Sequence, residues 1–367
     1  MLREISATVA SINVKGDAVV RVVEVVKSIQ GITSMFSLSG RLYRVDQVPG
    51  QFRELFILSG YRHPKSSAKQ CILSAFDVTN ETLNIWTHFL PAVYFAWWFV
   101  ELAQEHDFVN DPYTWPLLVF TFSSMGYLLA SAIAHTFNTM SNKARHIFFF
   151  LDYAALSNYS LGAAIAFRAY CFPEVLRNMT FYSDWYVRAA IFNSVGCTVL
   201  SCQSRFMAPG KLRKVCRLGA FVIPFSFDVV PLVYRMVFAG DEMLVDRAYM
   251  YHTRQLFFAF LAGLLYASHM PERLLPGKFD YVGHSHQLFH IAGVLGNCSQ
   301  MTAILYDMLD RKDILVREDR LLPWSYTVVT MGVVTMVNLI TIFVFSTYLT
   351  KDRLKLMSDD KPCNKCH

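Results

Sequence analysis

Four ionisable residues, His135, Asp152, His286 and His290, lie within stretches of sequence that are otherwise apolar. His286 and His290 are four positions apart, so a helix places both on one face. Three imidazoles with a carboxylate are a typical zinc-binding set, and three histidines leave a fourth coordination position for water. Asp152 is suited to hold or deprotonate that water, while Ser131, one helical turn before His135, is suited to support the site.

A metal-free interpretation of these residues stays open at this point. Ionisable groups within a bilayer are costly, which makes all four positions of functional interest. The same side chains also fit a buried, hydrogen-bonded polar cluster, and spacing alone does not separate the two interpretations. His284 is two residues from His286, so on a helix it points elsewhere and fits a loop or supporting role better than a ligand role.

The elements that carry these residues are predicted to be transmembrane helices. Hydrophobic residues make up 54% of the 367-residue chain and charged residues 17%, against about 25% charged in soluble domains. A run of about 20 apolar residues is long enough to cross a bilayer. Eight segments fit this description: 83–103, 113–137, 147–168, 187–204, 218–236, 255–271, 286–306 and 323–349. We therefore predict an all-α polytopic membrane protein, which excludes a disordered chain and a typical soluble enzyme.

The orientation follows from the basic residues between the segments. Lys and Arg number 24 on one side of the predicted membrane and nine on the other. The positive-inside rule places the richer side, and with it both chain termini, in the cytosol. The net charge of +6 is explained by this pattern, so no nucleic-acid partner is predicted. His135, Asp152, His286 and His290 then share one depth near the cytosolic face.

Three regions follow from this topology. Residues 1–75 form a cytosolic N-terminal region in which Ala18 to Ile29 has the pattern of an amphipathic helix, lying either on the membrane or against the protein. Residues 76–350 form the transmembrane bundle, and residues 351–367 a cytosolic tail. The eight cysteines are too few for a disulfide framework.

Several ordered motifs resemble those of the progestin and adipoQ receptor family, over about residues 58–310, and most closely its membrane progestin receptor branch. They are Asn80-Glu-Thr-Leu-Asn-Ile-Trp-Thr-His88, Ser131-xxx-His135, Asp152-Tyr153, Ser268-His269-Met-Pro-Glu-Arg273 and Phe279-Asp-Tyr-Val-Gly-His284-Ser-His286-Gln-Leu-Phe-His290. The resemblance implies a seven-helix bundle with an inward N-terminus, and an eighth span is typical of the progestin branch. It also implies zinc bound by His135, His286 and His290, with Asp152 reaching the metal through water.

Two functions are compatible with this resemblance. The first is a plasma-membrane receptor for progesterone-like steroids, which mediates rapid non-genomic signalling through inhibitory G proteins and contacts membrane lipids. The second is a zinc-dependent amidohydrolase that cleaves ceramide-like lipids, with Asp152 as the base. The receptor is the preferred expectation, and a ligand-stimulated hydrolase would combine the two.

Overall fold

The computed structural model describes residues 40–208, 210–238 and 246–350, and regular structure in these ranges is helical. The helices are α1 Ala68–Ser74, α2 Thr82–Glu105, α3 Trp115–Phe137, α4 Asn142–Ala166, α5 Glu174–Arg177, α6 Tyr186–Ser204, α7 Lys211–Asp228, α8 Val230–Phe238, α9 Arg247–Ser268, α10 Ser285–Arg317 and α11 Val328–Thr347. The predicted amphipathic helix and the tail at 351–367 lie outside the described residues.

Each of the eight predicted segments contains a helix, with two informative differences in their bounds. α7 begins at Lys211, so basic residues assigned to a loop form its first two turns. α10 continues to Arg317, well past the predicted end at 306. Both differences have one cause, because hydropathy locates the apolar part of a helix whereas good helix formers such as Lys, Arg and Leu extend it.

Length and apolar composition single out a smaller set of membrane-crossing helices. Among the described residues, three helical stretches pass both tests: Pro112–Phe137, Ser285–Arg317 and Trp324–Thr347. A fourth passes if α7 and α8 are counted as one span, which bends by 45° between them. The described residues therefore contain three helices, or four with the bent pair, that are long and apolar enough to cross a membrane.

The bend between α7 and α8 contains a buried acid. Asp228 ends α7, is 4% exposed, and accepts a hydrogen bond from Ser160 Oγ. Its backbone oxygen, freed by the break, accepts a hydrogen bond from Tyr186 Oη at 2.7 Å. Proline at 224 and at 231 flanks the break, and proline removes a helical hydrogen bond. These contacts compensate for the backbone groups that the break leaves without helical partners.

Successive helices pack as neighbours. α2 contacts α3, α3 contacts α4, α4 contacts α6, and α6 contacts α7, while α10 packs along α9 and returns to α2. Gly162 permits the close approach of α3 and α4, since a Cβ there would overlap Ser123 Oγ and lie 3.4 Å from Phe120 Cα. Because α10 contacts α2 as well as α9, it lies beside the first long helix of the bundle.

α11 packs on the outside of α4 and α6. It buries one narrow stripe of Val334, Asn338 and Ile342, spaced one turn apart. Asn338 Nδ2 donates to Asn158 Oδ1 at 2.8 Å, which fixes its register against α4. The remaining surface of the helix is exposed and apolar, as expected where a helix contacts lipid.

Candidate functional site

Three histidines from two helices meet at one end of the bundle. His135 is near the C-terminal end of α3, and His286 and His290 occupy the first two turns of α10. One ring nitrogen of each lies within 4.8 Å of those of the other two. His135 Nε2 is 3.1 Å from His286 Nε2, and His135 and His290 are 4% and 1% exposed. We call this group the histidine cluster.

Glu81 fixes the orientation of the His135 ring. His135 Nδ1 lies 2.8 Å from Glu81 Oε2. Because an ionised carboxylate only accepts hydrogen bonds, Nδ1 carries the proton and Nε2 keeps its lone pair. That lone pair is on the side of the ring that faces His286.

Glu81 is itself held by two amides. Asn84 Nδ2 donates to Glu81 Oε2 at 2.7 Å, and Asn138 Nδ2 donates to Oε1 at 2.6 Å. The carboxylate thus accepts three hydrogen bonds while 7% exposed. Metal-binding histidines usually donate their other ring N–H to a carboxylate that is itself fixed by hydrogen bonds, as Glu81 is here.

Arg62 secures the end of α3 next to the histidine cluster. Its Nη2 donates to the His135 backbone oxygen at 2.6 Å and to Asn138 Oδ1 at 2.7 Å. Its Nη1 donates to the Thr136 backbone oxygen and to Ser74 Oγ, both at 2.8 Å. Burial lowers the pKa of Arg62, and the nearby Glu81 carboxylate opposes that shift. Arg62 therefore satisfies backbone oxygens that the end of a helix leaves without partners.

His290 has a fixed tautomer as well. The Thr87 hydroxyl donates to the Leu83 backbone oxygen at 2.5 Å, so its oxygen accepts from His290 Nδ1 at 3.1 Å. Nε2 of His290 then keeps the lone pair, as in His135. The His88 ring stacks on that of His290 with centroids 3.7 Å apart.

The start of α10 is fastened by neighbouring loops. Glu272, 3% exposed, accepts hydrogen bonds from the Ser285 backbone N–H at 2.6 Å and from Ser285 Oγ. His284 lies before the helix, with Nε2 3.3 Å from the Asn80 backbone oxygen. Burial lowers the pKa of His284, which favours its neutral form. His284 thus supports the helix start and stays outside the group of mutually close ring nitrogens.

Asp152 and Ser131 lie near the histidine cluster without joining its close-packed nitrogens. Asp152 is half-buried on α4 and interacts electrostatically with His135. Phe149, one turn earlier, packs edge-on against the His135 ring at 5.9 Å. Ser131 is 4% exposed on α3, one turn before His135. Asp152 is therefore outside the group of mutually close ligand atoms that the three histidines form.

The donor set fits zinc on its chemistry and spacing. Tetrahedral zinc with Zn–N bonds of about 2.0–2.1 Å requires nitrogens about 3.3 Å apart, close to the 3.1 Å between His135 Nε2 and His286 Nε2. In both His135 and His290, Nδ1 has a hydrogen-bond partner, so the lone pair available to a metal is on Nε2. Three neutral imidazoles leave one coordination position open, as catalytic and substrate-binding zinc sites do.

Fold and site together define a helical membrane protein with a buried, supported histidine cluster. Residues 76–301 match the family model described as haemolysin-III related. The human membrane progestin receptor gamma is 49% identical over 78% of this chain and 87% of its own length. Human membrane progestin receptor delta is 48% identical over 85% and 92%, and the alpha form of Cynoscion nebulosus is 32% identical over 75% and 78%.

These matches confirm the resemblance seen in the motifs. The chain belongs to the haemolysin-III related, progestin and adipoQ receptor family, and the gamma and delta receptors are its relatives at nearly half identity. It is accordingly a membrane protein.

Sequence reasoning missed three supporting residues. Glu81, Thr87 and Arg62 hold His135 and His290, yet none was a candidate site residue. A signal was present for the first two, because both lie in the quoted motif that runs from Asn80 to His88. Arg62 precedes the motif and was counted only as a cytosolic charge.

Proposed function

We propose that this chain is a membrane receptor for a progestin-class steroid. The observation that carries the proposal is its similarity to membrane progestin receptors over most of both chains, at 49% identity to the human gamma form. A steroid is a rigid apolar plate with polar groups at its ends, so it suits the mostly apolar interior of a helical bundle. The names of the relatives do not favour the amidohydrolase alternative, which becomes an outcome of the test below.

The proposed architecture has seven spans around the site and an eighth outside it. The proposed bundle consists of seven spans: α2, α3, α4, α6, the bent pair α7–α8, α9 and α10. The contact of α10 with α2 supports its closure. α11 is the eighth span, supported by its peripheral packing on α4 and α6. The proposed location is the plasma membrane, with both termini and the histidine cluster on the cytosolic side, an orientation that the counts of basic residues support.

The proposed zinc ligands are His135, His286 and His290. When bound, zinc ties α3 to α10 and lowers the pKa of water at its fourth position. Glu81 holds the proton on His135 Nδ1 and so keeps Nε2 available. Asp152, on α4, would act on that water as a hydrogen-bond acceptor or base. Ser131, one helical turn before His135 on α3, is the proposed supporting residue of the zinc site.

The proposed signalling step is a shift of helices on steroid binding. A ligand changes a conformational equilibrium only by binding one state better than the other. The cytosolic end of α7 carries the basic residues Lys211, Arg213 and Lys214, a surface suited to inhibitory G proteins or to anionic lipid headgroups. Rapid, non-genomic signalling would follow from a change in the exposure of this surface.

The test is saturable binding of radiolabelled progesterone to purified full-length protein in lipid nanodiscs. Unlabelled progesterone should displace the label, and cholesterol should not. Ceramide turnover is measured on the same sample, with Asp152→Asn and the exposed control Asp184→Asn beside the wild type. Steroid binding without turnover supports the receptor. Absence of saturable binding, together with turnover lost in Asp152→Asn alone, would overturn it in favour of the hydrolase.

A further inference from the structure

A second cluster of metal-binding side chains lies away from the histidines. Cys171, His252 and Asp307 each direct one potential ligand atom to within 4.8 Å of the other two. They are 1%, 0% and 2% exposed. Cys171 ends the π-helical turn after α4, His252 is in the second turn of α9, and Asp307 is on α10. We call this group the thiol cluster.

The thiol cluster is at the opposite end of the bundle from the histidine cluster. Asp307 and His290 are on the same uninterrupted helix, 17 residues apart. At a rise of about 1.5 Å per residue, they are separated by about 26 Å along the axis. The two clusters therefore cannot share a cation or a substrate atom.

The donor types of the thiol cluster suit zinc and related d-block cations. Thiolate, imidazole and carboxylate are the three side-chain donors that zinc uses, and thiolate disfavours the hard cations calcium and magnesium. Three separate elements bring these donors together, so the cation would tie the end of α4 to α9 and α10. We propose that Cys171, His252 and Asp307 form a second transition-metal site, with zinc as the expected occupant.

Supporting residues of the expected kind surround the thiol cluster. Arg235 Nη1 donates to Asp307 Oδ2 at 2.8 Å, and the other guanidinium nitrogen pairs with Asp246. Gln255 Nε2 lies 2.6 Å from His252 Nδ1, so with the amide in this orientation Nδ1 accepts and the proton is on His252 Nε2. A flip of the Gln255 amide, which exchanges its oxygen and nitrogen, makes Nδ1 the donor and frees Nε2 for a cation, so the proposed metal site requires the flipped amide. The Asp307 carboxylate and the His252 ring are thus both held by neighbouring side chains, as metal-binding side chains usually are.

The competing arrangement is a metal-free hydrogen bond from His252 to Asp307. Their closest atoms, Nε2 and Oδ2, are 2.8 Å apart, which also fits an N–H donating to a carboxylate. The sulfur distinguishes the two arrangements. A thiol in apolar surroundings stays protonated, whereas a bound metal deprotonates it. The decisive measurement is therefore whether Cys171 binds a metal as thiolate.

The experiment uses Co²⁺ as a spectroscopic probe in purified, full-length protein stripped of metal. All samples carry Cys363→Ser and Cys366→Ser, which removes the C-terminal pair of cysteines as a source of thiolate signal. A thiolate-to-cobalt charge-transfer band is expected in the near ultraviolet, and added Zn²⁺ should abolish it. His286→Ala with His290→Ala should leave the band intact, because that variant changes only the histidine cluster.

Cys171→Ser should lose the whole band, while Cys298→Ser, a half-buried cysteine outside the cluster, should keep it. If Cys171→Ser fails to fold, His252→Gln provides the second variant and should weaken Co²⁺ binding at least tenfold. Absence of the band before any cluster substitution, or an equal band in Cys171→Ser, would overturn the proposal and leave the hydrogen-bonded arrangement.

Discussion

Replacing Glu81 by Gln is expected to weaken zinc binding at the histidine cluster. Glu81 accepts three hydrogen bonds, from His135 Nδ1 at 2.8 Å, Asn84 Nδ2 at 2.7 Å and Asn138 Nδ2 at 2.6 Å. Glutamine has nearly the same shape but replaces one acceptor oxygen with an NH₂ donor. Whichever way the amide turns, at least one N–H of these three neighbours faces another donor.

The size of the effect depends on which contact is lost. If the amide NH₂ faces His135 Nδ1, the imidazole loses its partner, and the tautomer that presents Nε2 is no longer favoured. Loss of such a supporting partner typically costs 10–100-fold in metal affinity, or about 1.4–2.8 kcal/mol. If it faces Asn138 instead, which opposes one donor where the first orientation opposes two, His135 Nδ1 keeps a hydrogen-bond partner. A neutral amide oxygen then replaces the carboxylate, so the imidazole is a less basic and weaker zinc ligand. The expected result is a rise in the zinc dissociation constant of at least about tenfold.

The assay is competition for zinc between the purified protein and a chromophoric chelator of known affinity. Glu101→Gln is the matched control, because Glu101 is on the same helix and exposed near its other end. Thermal unfolding of both variants without metal separates metal affinity from folding. An affinity for Glu81→Gln within about twofold of wild type, with zinc lost in His135→Ala, would refute the reasoning that the Glu81 carboxylate supports His135 as a zinc ligand.

Three further predictions follow from the structure. His286→Ala with His290→Ala should remove zinc and lower the unfolding temperature, because the metal ties two helices together; unchanged zinc content by elemental mass spectrometry would contradict the assignment. An epitope tag after His367 should be labelled by antibody only in permeabilised cells, and labelling of intact cells would reverse the predicted topology. Arg235→Met should destabilise the protein by about 3 kcal/mol, because it removes the guanidinium that pairs with the buried Asp307 and with Asp246 and leaves His252 as the remaining partner of Asp307; an unchanged denaturation midpoint would refute this.

The sequence predicts the helices better than it predicts the contacts between them. Apolar runs located helices in all eight segments, because a helix in lipid must be apolar wherever it meets the tails. His135 and His286 were expected at one depth from topology alone, and the structure places their rings side by side. The pairing of Glu81 with His135 spans 54 positions and depends on how α2 packs on α3, which no local pattern encodes.

The thiol cluster shows why hydropathy misses buried polar groups. The predicted seventh span ended at 306, one residue before Asp307, because an acid normally marks the end of a membrane segment. Asp307 is nevertheless 2% exposed, since Arg235 and His252 provide hydrogen-bonding partners for its carboxylate. A charged residue with partners on other helices is compatible with the interior, but its partners are known only after folding.

The length of α10 has a mechanical consequence. Its 33 residues from Ser285 to Arg317 form one unbroken helix of about 50 Å, whereas the hydrocarbon layer is only about 30 Å thick. The helix is therefore longer than the lipid core is thick. A tilt of about 10° pivoting at His286 would displace Arg317 by roughly 8 Å. A small rotation of α10 at the histidine cluster would therefore move the far end of the helix by several ångströms.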